Sequence, residues 1–451
     1  MDEFRILSTT AILGYGFPVA SFEAGMARDP HLIAVDAGST DPGPYYLGAG
    51  ISFTDRDAVK RDLELMLMAG VPKGIPIVVG TAGGSGGDRH LEWNRQIILE
   101  IAKEKNLSFK MAVIHAEIPK SQVREAMGRG EVRPLSPAPE LTADNLEQTV
   151  SIVGQMGIEP IIKALDQGAQ VVLAGRCYDP AVFAASAVRA GFDKGLAIHL
   201  GKILECASIA ATPGSGSDCM FGYLRKDHFD VEPLNPIRKC TKLSVAAHTL
   251  YEKTDPYILP GPGGHLDLRG TTFEQVTDSI TRVRGSRYVN AQQYTVKLEG
   301  ARRIGFRTVS IAGARDPVLI DRIDEITQGV RERVKDNFKD RGINYELLFT
   351  IYGRDGVMGS LEPNRKTEGH EIGIIIEAVS DTQQHADTIC AAARSTMLHY
   401  GYTGRRATAG NLAFPYSPSD FHAGEVFVFS VYHLLFVSDP CACFPMEMVT
   451  V

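Results

Sequence analysis

Short apolar runs rich in β-branched residues alternate with longer amphipathic stretches through the first 225 or so residues. The apolar runs fall at residues 5–13, 32–35, 76–79, 110–114 and 170–174, with helical patterns between them at 56–69, 91–105, 120–127 and 145–165. This alternation predicts βαβ units and a parallel sheet. The strands are almost continuously apolar, which predicts helices on both faces, a doubly wound arrangement. Ligands of such sheets sit beyond the carboxyl ends of the strands.

After Leu224 the pattern turns to short strands and turns, with Pro260-Gly261-Pro262-Gly263-Gly264 the densest turn signal. From about residue 306 a clear order returns. A strand at 307–312 precedes a helix at 318–337, strands at 347–352 and 371–378, a helix at 382–399 and a strand at 425–435. The order β-α-β-β-α-β is that of a ferredoxin-like domain. The expected architecture is therefore α/β: an N-terminal doubly wound, mostly parallel domain over residues 1–225, and a C-terminal α+β ferredoxin-like domain over 226–451. No internal repeat is visible.

Composition narrows the classes of function. Of 451 residues, 44% are hydrophobic and 22% charged, and the net charge is −7. An acidic chain without a basic face argues against nucleic acid as a partner. No apolar run approaches the ~18 residues of a membrane span. The acidic start, MDEFRILSTT, lacks a signal pattern. The expectation is a cytoplasmic protein. Seven cysteines without framework spacing read as reduced, mostly buried thiols. Cys441-Ala-Cys443 lacks the second pair that a zinc site needs.

The candidate chemistry clusters at strand ends. The apolar strand at 76–79 runs into Gly80-Thr81-Ala82-Gly83-Gly84-Ser85-Gly86-Gly87-Asp88, five glycines in eight positions, and then a helix. Gly83, Gly84, Ser85, Gly86, Gly87 and Asp88 are candidate substrate-binding positions, because glycines expose backbone N–H groups and a helix start favours an anion. The loop is not a Walker A loop, since no Gly-Lys-Ser/Thr closes it, and it lacks the third glycine of a dinucleotide fingerprint. No nicotinamide or flavin motif appears elsewhere. A tight structural turn is the competing reading.

Val35-Asp36-Ala37-Gly38-Ser39-Thr40-Asp41-Pro42 places two carboxylates on the loop after the second strand. Asp36 and Asp41 are candidates for acid–base work or for a divalent metal, although an Asp before Pro is also an ordinary turn residue. His115 and Glu117 follow the fourth strand two residues apart. Arg176, after the strand at 170–174, is suited to clamping a carboxylate. Asp179-Pro180 just beyond it reads equally as a helix cap. His199, Lys202 and Cys206 share a helix face, with Glu205 beside Lys202 as a surface ion pair. A second Gly/Ser loop, Pro213-Gly214-Ser215-Gly216-Ser217-Asp218, offers Ser215 and Ser217 as substrate contacts and Asp218 as an acid–base candidate. His248 is a further catalytic candidate, and His265 could approach the same cleft. Tyr402, Arg405 and Arg406 form a small basic spot suited to an acidic ligand or a subunit contact.

Several of these strings also resemble the acyclic terpene utilisation family. They are Val35-Asp36-Ala37-Gly38-Ser39-Thr40-Asp41-Pro42-Gly43-Pro44-Tyr45-Tyr46, Gly83-Gly84-Ser85-Gly86-Gly87-Asp88, Ala174-Gly175-Arg176-Cys177-Tyr178-Asp179 and Gly214-Ser215-Gly216-Ser217-Asp218-Cys219. The likeness continues through Leu298-Glu299-Gly300-Ala301, Ser310-Ile311-Ala312-Gly313, Asn411-Leu412-Ala413-Phe414 and Glu425-Val426-Phe427. It implies a place in bacterial catabolism of citronellol- and geraniol-type compounds, whose intermediates travel as CoA thioesters. It also implies a small ferredoxin-fold partner protein, fused or separate. Residues and resemblance together favour a lyase-like enzyme acting by hydration, dehydration or isomerisation on a small or branched carboxylate or its CoA thioester, in a homo-oligomer. In that reading the Gly loop and Arg176 bind the carboxylate while Asp36 or Asp218 moves the proton. The alternatives are an ATP- or CoA-dependent transferase or ligase, and a non-catalytic metabolite-binding subunit that needs a partner.

Overall fold

Strands β1 (Glu3–Ser8), β2 (Leu32–Asp36), β3 (Ile77–Gly80) and β4 (Lys110–Ile114), with Val171–Ala174 between β3 and β4, form the parallel centre of a ten-stranded sheet. They were traced in a computed structural model that describes residues 1–364, 366 and 369–451. Antiparallel strands extend both edges. Met220–Arg225, His228–Pro233, Thr281–Arg284 and Thr272–Gln275 follow outward from β1, and Met446–Thr450 lies beside β4. The sheet is thus mixed, parallel inside and antiparallel outside. Among the described residues no helix is long and apolar enough to cross a membrane.

The chain divides into two units, Met1–Arg302 with Phe429–Val451, and Arg303–Val428. The division expected after residue 225 does not coincide with it, because the strands from Met220 to Arg284 complete the edge of the first unit's sheet. In the first unit the parallel strands are buried from end to end, as at Leu32, Ile33, Ala34 and Val35 in β2. Each strand face is covered by apolar side chains. Ile97, Ile98 and Ile101 of the helix Asp88–Lys105 pack with Val35, Val79 and Val113, while Val182 and Phe183 of the helix Asp179–Arg189 pack with Ala34, Val78 and Val172.

One predicted helix, 145–165, is three elements: a helix Ala143–Gln148, a strand Thr149–Gln155 and a helix Ile158–Asp166. The segment Thr-Val-Ser-Ile-Val is β-branched and stiff, which favours a strand. It pairs antiparallel with the start of strand Tyr294–Ala314, Val153 opposite Glu299. Its far side is stitched to the loops after β4 and Val171–Ala174, through Gly154 N to Ala116 O (2.8 Å) and Met156 N to Arg176 O (3.0 Å). Glu299 is thereby carried to the carboxyl ends of the parallel strands.

The second unit holds the part of strand Tyr294–Ala314 from Arg303 on, strands Tyr345–Tyr352 and Ile372–Ser380, the part of strand Asp420–Val437 up to Val428, and helices Pro317–Asp321, Ile323–Phe338 and Gln383–Leu398. Its strands stand in the order Tyr345, Ile372, Tyr294, Asp420, named by first residue. Ile326, Val330, Ile374, Ile376, Ile389 and Ala393 fill its core. Two of its helix starts are capped: Asp316 accepts from Val318 N at 2.8 Å and Thr382 from His385 N at 3.1 Å.

Two glycines set how closely the strand-end loops approach. A Cβ on Gly38, at φ +145, would stand 2.2 Å from Gly84 O, and one on Gly86, at φ +71, would stand 2.2 Å from Arg176 N. Gly38→Ala is expected to cost about 3 kcal/mol or more, from backbone strain and overpacking together. Gly128→Ala, in the helix Lys120–Gly128 with open space around the position, is expected to be neutral or stabilising by ~0.5–1 kcal/mol. Urea midpoints of the two variants check this contrast.

Candidate functional site

The centre of the site is Arg176, only 2% exposed. Its Nε donates to Glu299 Oε2 at 2.7 Å, and one Nη donates to Asp179 Oδ1 at 2.8 Å and to Cys177 O at 2.6 Å. Lys297 Nζ lies 2.7 Å from the other oxygen of Glu299. Burial alone would lower the guanidinium pKa, but the charges of Glu299 and Asp179 hold it well above its ordinary value. Burial likewise favours a neutral Glu299, yet Arg176 and Lys297 hold its carboxyl down at about 2. The chain Lys297–Glu299–Arg176–Asp179 is a fixed alternation of charge.

Asp36, at the end of β2, is buried beside this chain and accepts from Gly38 N at 3.3 Å. Burial, and next the charge of Asp179, push its pKa well up, against the pull of Arg176; Glu205 adds to the rise. Burial also raises Asp179, against Arg176. The result is a pair of interacting carboxyls at the strand ends, a suitable arrangement for holding and moving a proton.

Lys297 and Glu299 also line a cleft of about 730 Å³ within the first unit. Thr40 and Asp41 stand on one side, and Pro137, Ala138, Pro139, Phe429, Val431 and Tyr432 supply apolar wall. Arg302 and Lys297 are its cations. The Lys297 ammonium sits 5.3 Å from the Tyr432 ring centre. His433 donates from Nε2 to Pro139 O at 3.1 Å, which ties one wall to the strand Asp420–Val437. Asp41 is exposed, accepts from the Ser39 hydroxyl at 2.9 Å, and its charge acts on Asp179.

The other predicted positions fall differently. Gly83, Gly84, Ser85, Gly86 and Gly87 are buried; Gly83 and Gly86 pack closely on the backbone of His90 and Arg176. The helix start after it is already occupied, since Asp88 N donates to Glu117 Oε2 at 2.9 Å. Asp88 itself pairs with His115 Nδ1 at 2.8 Å. Asp218 is buried and engaged by Arg238 Nε (2.7 Å), Asn235 Nδ2 (2.8 Å) and Cys219 N (3.0 Å). Ser215 Oγ accepts from Ser217 N at 3.2 Å, and Gly216 O accepts from Ala11 N and the Thr10 hydroxyl, so this second loop is tied to the end of β1. His248 is buried against Lys202 and Tyr251. The Lys202–Glu205 pair, expected at the surface, is buried at 2.5 Å. His199 is buried between Ser286 and Thr249.

Among the described residues no three His, Cys, Asp or Glu side chains are grouped as metal ligands. Asp36 is buried and Asp41 exposed, so the two carboxyls of this loop stand in different environments. Sequence reasoning missed Lys297, Arg302, Tyr432 and His433. The available signal was period two: Lys297 and Glu299 alternate along one strand and so share a face.

A family model described as acyclic terpene utilisation family protein AtuA matches residues 56–218 and 238–420. No curated protein and no solved structure matches the chain significantly.

Removing one partner of a buried pair strands the others. Arg176→Ala is expected to cost about 3–5 kcal/mol by urea unfolding, and adding Glu299→Gln should recover part of it. The lowered Glu299 pKa, from 4.5 to about 2, corresponds to roughly 3 kcal/mol that is present above pH 4.5 and lost as pH falls towards 2. Glu299→Gln should therefore lose stability at pH 7 and approach the parent protein near pH 2.

Proposed function

We propose, on the premise that this chain belongs to the acyclic terpene utilisation family, that it is a catabolic enzyme of lyase or isomerase type acting on a branched carboxylate or its thioester. The observation that carries this reading is the junction of two environments. A buried carboxyl, Asp36, and a half-buried one, Asp179, lie beside Arg176, and the outer members of the same charge chain, Glu299 and Lys297, line a cleft with an apolar wall. Hydration, dehydration and isomerisation need a cation for the substrate carboxyl group, an apolar surface for the chain, and groups that give and take a proton. The parallel sheet centre with helices on both faces, and the β-α-β-β-α-β succession of the second unit, support the doubly wound and ferredoxin-like readings respectively.

Each group has a role in this reading. Lys297 and Arg302 pair with the carboxylate or polarise the thioester carbonyl. Pro137, Pro139, Phe429 and Tyr432 take the branched chain. Arg176, closed off by three acceptors, positions Glu299 and Asp179 instead of touching substrate. Asp36 holds a proton to give, and Asp41 at the cleft wall takes one.

The test is thermal shift with branched saturated and unsaturated carboxylates, their CoA thioesters, and ATP with Mg²⁺, followed by deuterium uptake from D₂O into any stabilising ligand. Stabilisation by a branched acid or thioester is expected, weakened at least tenfold in apparent affinity by Lys297→Met. Asp36→Asn is expected to keep binding and lose about 10²–10⁴-fold in proton exchange. Stabilisation by ATP with Mg²⁺ alone would replace this reading with a ligase or transferase. Stabilisation by none of them would favour a subunit without catalysis of its own.

A further inference from the structure

The carboxyl pair has a second neighbour that the cleft does not use. Helix Lys194–Leu204 crosses the first turn of helix Asp179–Arg189 at Gly201, where a Cβ would stand 2.4 Å from Pro180 O. That close approach brings Lys202 and Glu205 up to Asp179. Lys202 Nζ donates to Glu205 Oε1 at 2.5 Å, and both residues are buried. Glu205 Oε2 is buried with no hydrogen-bond partner, and so is His248 Nε2. Unpartnered buried polar atoms are costly, and two in one neighbourhood call for a solvent molecule or a mobile proton.

Over this pair lies a thin cover. Tyr251 stacks on His248 with ring centres 5.4 Å apart, and Lys202 Nζ is 5.1 Å from the Tyr251 ring centre. Glu252, in the left-handed backbone region at φ +57, brings Oε2 to 3.7 Å from Lys202. Tyr251 and the Glu252 side chain are both about half exposed. A single turn therefore separates the buried pair from water.

We propose that Glu205 is a proton-carrying positioning residue that connects the Asp36–Asp179 pair to solvent at Glu252, through an opening closed by the Tyr251–Glu252 turn. Water admitted at Glu252 gives a proton to Glu205 Oε2, and the hydroxide left behind goes to solvent. Glu205 then passes that proton to the Asp36 carboxylate left after donation, and returns to its own carboxylate, held by Lys202. The groups facing Glu205 are Asp36 from β2, Tyr178 and Asp179 from the neighbouring helix start, and Lys202 and Cys206 from its own helix and the residues after it. His248, Tyr251 and Glu252 face Lys202 from the covering turn. Burial, opposed by Lys202 and reinforced by Asp179, pushes the Glu205 carboxyl up to about 8, so it can hold and release a proton near neutral pH. A relay of this kind resets Asp36 without opening the substrate cleft. It rests on the reading above only in taking Asp36 as the proton donor.

Infrared spectroscopy of the buried carboxylic-acid C=O band, after rapid transfer of the full chain into D₂O, tests the relay without a substrate. Asp36→Asn and Glu205→Gln assign the bands. In Glu205→Gln the remaining Asp36 band is expected to exchange at least tenfold more slowly, while Tyr251→Ala speeds exchange by a similar factor. Equal Asp36 exchange in the parent protein and Glu205→Gln would overturn the relay. If Glu205→Gln does not fold, Tyr251→Ala and Glu252→Gln decide, and unchanged exchange in both is the negative result. Loss of the relay with normal dependence of turnover on Asp36 leaves the proposed function standing. Normal turnover in Asp36→Asn removes that function while the exchange rates still judge the relay.

Discussion

Arg176 carries a permanent charge into a place that water does not reach. A buried ion loses several kcal/mol of hydration even after the surroundings relax, and only well-placed acceptors offset that loss. Three do so here: Glu299, Asp179 and the carbonyl of Cys177. Each comes from a different requirement of the fold. Asp179 opens a helix, Cys177 continues the strand-end loop, and Glu299 arrives on a strand more than a hundred residues away in sequence. The register that sets Val153 opposite Glu299, and the bridge from Met156 to Cys177, exist in the arrangement that closes this charge. A shift of one residue would turn Glu299 to the other face and leave the guanidinium without its main partner.

The glycine-rich loop acquires its meaning from the same constraint. A strand followed by glycines and a helix start suggests an anion cradle, and the physics of that suggestion is sound. Here the anion at the helix start is Glu117 of the chain itself. The glycines remove side chains so that the loops bearing Asp36 and Arg176 can each pack on the glycine-rich loop: Gly38 approaches Gly84, and Gly86 approaches the Arg176 backbone. The loop therefore sets the distance between the second strand end and Arg176. It acts as a spacer between the two site segments.

Much of this was legible in the sequence and some was not, for physical reasons. Continuous apolar strands such as Leu32–Asp36 announce a sheet buried on both faces, and Asp36 at the end of one is visible as a candidate site residue from sequence order alone. Thr149–Gln155 was hidden between two amphipathic helices, where its β-branched residues also fit a helical period. Losing it lost the partner strand, and with it Lys297 and the full role of Glu299, since long-range pairing leaves no local trace. Asp218 shows what local sequence hides. Its place after a Gly/Ser loop resembles a catalytic carboxylate, but Arg238 and Asn235, near in sequence but unremarkable there, engage it completely. Lys202 and Glu205 have the spacing of a surface pair, and nothing local says that the helix carrying them is buried on nearly every side.

Charge counting joins these observations. Arg176, Lys202 and Lys297 bring three positive charges to the strand ends, and Asp36, Asp179, Glu205 and Glu299 bring four carboxyls. Four carboxylates would leave a net negative charge in a weakly screened setting, which favours keeping one proton among them. Glu299 is excluded as its holder, because two cations grip it. Asp179 is bonded directly to Arg176. The proton therefore belongs to Asp36 or Glu205, the two whose acidity burial weakens most against their neighbours. In the proposed function, the excess of one carboxyl, set by residues from four separate segments, is what lets a structural ion-pair network take part in acid–base chemistry.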